Sequence, residues 1–150
     1  MRRTLKTLSP CLVAFLLMLT VAFAGNAQEL QKKLEGLKGI SGIEKLESDH
    51  YAEKYLVRIT QRVIVAHVGF DRPTILVTEG YGAAYALNPR YQEELSKLLD
   101  ANMVFVEYRY FLESTPTPCN WEYLTAENSA YDLHNVNQTF RELYTGKWVS

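Results

Sequence analysis

Cysteine is scarce in this chain. Cys11 and Cys119 are the two among 150 residues, which excludes a small disulfide-framed domain. Glycine and proline are few, 8 and 5, so neither a collagen-like repeat nor a flexible linker fits. Positive charge has no excess: 16 Lys+Arg against 17 Asp+Glu offers no basic field, and no nucleic-acid partner is expected. The G-x-S-x-G pentapeptide that seats a nucleophilic serine is missing. So is the dinucleotide fingerprint, because Tyr85 stands where the third glycine of G-x-G-x-x-G belongs. His50, His67 and His134 show no metal-ligand spacing, and no metal or other cofactor is expected. What is present, 47% hydrophobic and 22% charged residues, is the make-up of one globular domain.

The one long apolar run, Leu12 to Ala24, follows a basic start of Arg2, Arg3 and Lys6 and ends in small residues, with cleavage expected after Ala24 or Ala27. This is the pattern of a secretory signal over residues 1–27 and implies a secreted or periplasmic product. Thirteen apolar residues fall short of the ~20 that span a bilayer, so no stable membrane span is expected after cleavage. Removing three basic residues from a chain of formal charge -1 leaves -4. Cys119 then stands alone, either as a buried small hydrophobe or as a thiol separated from its partner.

Residues 28–54 read as a polar lead-in with a short helix near Glu29–Leu37 and then irregular, solvated chain. Tyr55 to Phe70 is rich in β-branched and aromatic residues and predicts one long strand, or two joined at a bend near Thr60–Arg62. Thr74–Thr78 predicts a short buried strand. Asn88-Pro89 predicts a helix start, with Tyr91, Leu95, Leu98 and Leu99 on its buried face. Met103–Tyr108 predicts another strand. Thr125 is expected to cap a long helix whose buried stripe is Ala130, Leu133, Val136, Phe140, Leu143 and Tyr144, closed by Gly146. Lys147–Ser150 begins a last apolar strand. This alternation predicts an α/β fold, an incomplete and mostly parallel sheet with helical crossovers.

Two constellations could carry chemistry. Glu79-Gly80-Tyr81-Gly82 lies at the C-terminal end of a strand, the edge where sites gather in open α/β sheets, and its backbone N–H groups could face an anion. The competing reading is a plain turn that uses glycine for positive φ. Glu107 and Arg109, two apart at the end of a buried strand, are expected to share a face and pair with neighbours as structural anchors. His67, amid valines, and His134, on a helix, are expected to be structural.

A resemblance is carried by Gln61-Arg62-Val63, His67 to Pro73, Thr78-Glu79-Gly80-Tyr81, Glu107 to Phe111 with Ser114 and Pro116, Asn120-Trp121, Asp132-Leu133-His134 and Lys147 to Ser150. Over about two thirds of its length the chain resembles the secreted bacterial serine peptidases of the S37 type (PS-10), tripeptidyl aminopeptidases related to the prolyl-carboxypeptidase group. In that group the segment after the fourth strand reads E-H-R-Y-[YF]-G-x-S-x-P; here Tyr108 replaces the His and Leu112 the Gly. Relatives also carry a turn resembling Gln-Pro-Leu-Asp-His where Ile59-Thr60 runs directly into Gln61.

The resemblance implies an α/β-hydrolase core and serine-dependent release of tripeptides from free N-termini, with peptides as the partners. It implies that Gly80, Tyr81 and Gly82 form the oxyanion-side loop and that Glu79, Glu107 and Arg109 support the site. The chain is expected to be an N-terminal fragment, 55–150 forming a partial peptidase domain. No catalytic residue is expected within it, the Ser-His-Asp triad lying beyond Ser150. Two rivals stand beside this reading: an esterase or lipase on the same fold, and a non-catalytic exported binding protein.

Overall fold

The computed structural model describes residues 29–78 and 81–150. The expected signal segment lies outside the described residues. Residues 29–36 are helical (α1), as the leucine spacing predicts. From Lys33 onward the chain is one compact unit built on a six-stranded sheet. Its strands are β1 (Gly42–Leu46), β2 (Glu53–Arg58), β3 (Arg62–His67), β4 (Thr74–Val77), β5 (Asn102–Val106) and β6 (Trp148–Val149), in spatial order β1-β2-β3-β5-β4-β6. Two helices, α2 (Glu94–Leu99) and α3 (Ala126–Arg141), lie in the connections. Among the described residues no helix is long and apolar enough to cross a membrane.

The class is α/β, but the sheet is mixed rather than mostly parallel. β1–β2, β2–β3 and β3–β5 pair antiparallel, whereas β5–β4 and β4–β6 pair parallel. Short links dictate the first pairings, since a tight turn can only return the chain antiparallel. The stretch from Tyr55 is two strands joined at the bend: Ile59-Thr60-Gln61 closes a hairpin in which Arg58 faces Arg62 and the Ile59 N–H donates to the Gln61 carbonyl at 3.0 Å. The hairpin is therefore present even without the Gln-Pro-Leu-Asp-His-like turn. The solvated segment before it holds β1, a half-exposed edge strand that becomes regular only because β2 offers a free ladder.

The segments around 75, 104 and 148 lie side by side: Leu76 pairs with Val104, and Ile75 with Val149. One sheet face buries Leu56, Ile64, Ala66, Met103 and Phe105, with Tyr85 and Tyr91 laid against them. On the other face Tyr144 meets His67, its hydroxyl 3.1 Å from Nδ1. His67 is thus a buried structural histidine, as expected, while His50 and His134 are exposed.

Several local expectations fail. Asn88 does not N-cap a helix; its Oδ1 accepts from the Arg90 N–H at 3.0 Å in a turn, and α2 begins only at Glu94. Leu95, Leu98 and Leu99 of that short helix are exposed, and Ser96 is its buried residue, 2.7 Å from the Tyr51 hydroxyl. Of the two readings of Cys119, burial as a small hydrophobe is ruled out, since the residue is exposed. Thr125 does cap α3, accepting from the Asn128 N–H at 3.1 Å, but the buried stripe is confined to Val136, Phe140, Leu143 and Tyr144, with Leu133 half-buried and Ala130 exposed.

Gly146 is not the cap of α3, which ends at Arg141. It is glycine because the chain passes against the β3–β4 turn: a Cβ there would lie 2.2 Å from the Arg72 carbonyl oxygen and 2.8 Å from that of Asp71. Backbone cannot swing aside as a side chain can. Gly146→Ala is expected to destabilise by about 1–3 kcal/mol through overpacking, read as a lowered urea midpoint, with amide exchange at Trp148 and Val149 accelerated first.

Candidate functional site

The parallel strands β5, β4 and β6 present their C-terminal ends along one edge, and the loops after β4 and β5 meet there. The Tyr108 N–H donates to the Tyr81 carbonyl at 3.4 Å, and the Tyr108 hydroxyl donates to the Thr78 carbonyl at 3.3 Å. Burial raises the Tyr108 phenol above its ordinary pKa, so the residue standing where the related group has histidine is a neutral donor. Tyr81 projects into solvent, 69% exposed, with its ring edge-on to Phe111 at 5.2 Å. Glu79 and Gly80 lie outside the described residues.

Gly82 is not a positive-φ glycine. A Cβ at this position would meet Leu112 Cδ1 at 2.4 Å and lie 3.8 Å from Glu107 Oε2, so a larger residue here would have to displace the exposed Leu112 side chain. Leu112 itself has φ +42°, a left-handed conformation that costs a branched residue about 1–2 kcal/mol. Glycine takes up this conformation without that penalty. Leu112→Gly is expected to stabilise the chain by about 0.5–1 kcal/mol, since the side chain is mostly exposed and little burial is lost. A thermal melt checks it, and an unchanged or lowered midpoint would mean that the Leu112 packing outweighs the strain.

Glu107 and Arg109 are both anchors, but they do not share a face. β5 ends at Val106, and the alternation of a strand ends with it. Glu107 is fully buried. One carboxylate oxygen pairs with the Arg62 guanidinium, and the other accepts from the Ser114 N–H at 3.1 Å and its hydroxyl at 3.0 Å. Arg109 turns to α3 instead and holds Asp132 through two hydrogen bonds of 2.5 and 2.6 Å. Its already high pKa is raised further by these bonds. Gln61 joins the same carboxylate at 2.6 Å.

Sequence reasoning missed Arg62, Ser114 and Asp132 as the partners of these anchors. Arginine at the start of a strand that is otherwise apolar was the available signal for Arg62. Ser114, with its hydroxyl committed to Glu107 and to the Arg62 N–H at 2.9 Å, is occupied structurally. Among the described residues no cluster of three or more His, Cys, Asp or Glu side chains could hold a metal ion.

These features define an α/β protein with its candidate site on loops at the C-terminal edge of parallel strands. The sequence profile of the family PS-10 peptidase S37 matches residues 45–150, and the chain belongs to that peptidase family. Over 90 residues it is 34% identical to the prolyl tri/tetrapeptidyl aminopeptidase of Streptomyces mobaraensis, an alignment that covers 60% of this chain. The chain spans 18% of the length of that relative.

Proposed function

We propose that these residues form the first part of the sheet and the oxyanion-side loop of a secreted serine exopeptidase that releases tripeptides and similar short peptides from free N-termini. The single observation carrying this reading is the meeting of the Tyr81–Gly82 segment with the post-β5 loop beside β6, in a chain of the S37 family. The sheet is that of an α/β-hydrolase core. In the whole enzyme a serine attacks the scissile carbonyl, a histidine takes its proton, an aspartate orients the histidine, and backbone N–H groups near Gly80–Gly82 stabilise the oxyanion. The triad lies beyond these 150 residues. Support comes from the lack of any G-x-S-x-G in the sequence and from the much greater length of the relative.

The 150-residue chain alone is expected to hydrolyse no tripeptidyl nitroanilide and to take no fluorophosphonate label. The gene after codon 150 is expected to encode G-x-S-x-G within a few codons, and the extended product to release tripeptides. Turnover by the chain alone, or an extended product that cleaves only esters, overturns the proposal.

A further inference from the structure

Arg62 opens β3 and is only 6% exposed. Its environment is a closed ring of bonds. The guanidinium pairs with Glu107 Oε2 and lies 3.5 Å from Glu113 Oε1. The Arg62 N–H donates to Ser114 Oγ at 2.9 Å, and its carbonyl accepts from the Glu107 N–H at 3.0 Å. Ser114 in turn donates twice to Glu107 Oε1. The Glu107 carboxylate is therefore held from both oxygens and from its own backbone, with no freedom to rotate. Gly82 comes close to the side chain of Leu112, the residue that starts the turn bearing Ser114, and a Cβ on Gly82 would reach to 3.8 Å from Glu107 Oε2.

A core position needs no such ring. A buried ion pair is weak evidence for stability, because desolvating both charges offsets most of their attraction. The Arg62 Nε atom is even left buried without a hydrogen-bond partner, a further cost that apolar residues of the same size would avoid. What the ring does supply is a fixed position for the loop after β5, and the Tyr81–Gly82 segment rests on that loop through the Tyr108 hydrogen bonds to the Tyr81 and Thr78 carbonyls, the Tyr81–Phe111 ring contact and the close approach of Gly82 to Leu112.

We propose that Arg62 is a positioning residue for the candidate site: through Glu107 and Ser114 it sets where the Gly82 backbone stands relative to the loop after β5. The role assigned to that backbone rests on the peptidase reading above; the positioning itself does not. Lysine at position 62 keeps the charge but cannot reproduce the planar fork that meets Glu107 and Glu113 together.

The test is amide hydrogen exchange of the 150-residue chain carrying Arg62→Lys. Exchange at 81–83 and 110–114 is expected to rise at least tenfold, with the amides of Ile64, Val65 and Val104 in the sheet within twofold of the parent. Ser114→Ala, which breaks the ring at a smaller residue, is expected to give the same local pattern and serves if Arg62→Lys does not fold. A uniform rise across sheet and loops would make Arg62 a merely structural residue, and unchanged loop exchange would show that the loops hold themselves; either overturns the proposal. Exchange needs no turnover, so failure of the peptidase reading and failure of the positioning role are separately visible.

Discussion

Replacing Glu107 with alanine is expected to lower the stability of the chain by about 3–5 kcal/mol, the range for breaking a buried ion pair from one side. The magnitude follows from what is left behind. Arg62 stays almost fully buried, and its remaining acidic neighbour, Glu113, is exposed and 3.5 Å away. The Ser114 N–H and hydroxyl lose their common acceptor as well. Natural domains have only about 5–15 kcal/mol in all, so urea unfolding should show a much earlier transition or none. Glu113→Gln is the control. That side chain pairs with Arg58 at 3.0 Å on the surface, and its carboxyl is held below the usual range by Arg58 and Arg62. Its loss should leave the midpoint nearly unchanged. If the two variants unfold together, the Glu107 site is not the closed ion-pair ring described above.

Asn102→Ala should cost about 2–4 kcal/mol, because a buried network loses its centre. Asn102 starts β5 and is fully buried. Its Oδ1 accepts from the Val68 and Gly69 N–H groups at 2.7 and 3.1 Å, while its Nδ2 donates to the Gly69 carbonyl at 2.8 Å and to the Thr74 hydroxyl at 3.2 Å. One side chain thus satisfies the turn between β3 and β4 from within. Alanine leaves those N–H groups without acceptors and opens a space that apolar neighbours cannot fill. The loss should be read in the urea midpoint, with exchange at Val68 and Gly69 rising most. Because Gly146 packs on the same turn, β6 should loosen with it. A midpoint within 1 kcal/mol of the parent would mean that water replaces Asn102 without penalty.

Much of the sheet was legible because strand signals here are strong and local. Val63, Ile64, Val65, Val104 and Phe105 form runs of β-branched and aromatic residues that only a doubly buried strand accommodates. The α3 cap at Thr125 was equally readable, since capping is a matter of one side chain and a backbone N–H three residues on. β1 was not readable. Its sequence, Gly42-Ile43-Glu44-Lys45-Leu46, has little strand preference, and the ladder of β2 makes it a strand. The hairpin at 59–61 contains no Gly, Pro, Asn or Asp, and so none of the usual turn chemistry marked it.

At the candidate site the residue types announced themselves and their partners did not. A Glu beside a buried strand end must be neutralised, and composition alone demands a partner. Which cation answers is a question of register: Arg62 is 45 residues away in sequence and reaches Glu107 because β3 and β5 are neighbours. Gly82 read as a turn glycine because flexibility is the commoner use of glycine, whereas close approach depends on a loop arriving from elsewhere. Periodicity, caps and charge need only a few neighbouring residues to act, and so the linear order of residues was enough to place the strands after β1, the α3 cap and the need for a buried counter-ion. Sheet order, the mixed strand directions, the identity of that counter-ion and the close approach of Gly82 to Leu112 depend on atoms distant in the chain meeting at a few ångströms, which folding alone could settle.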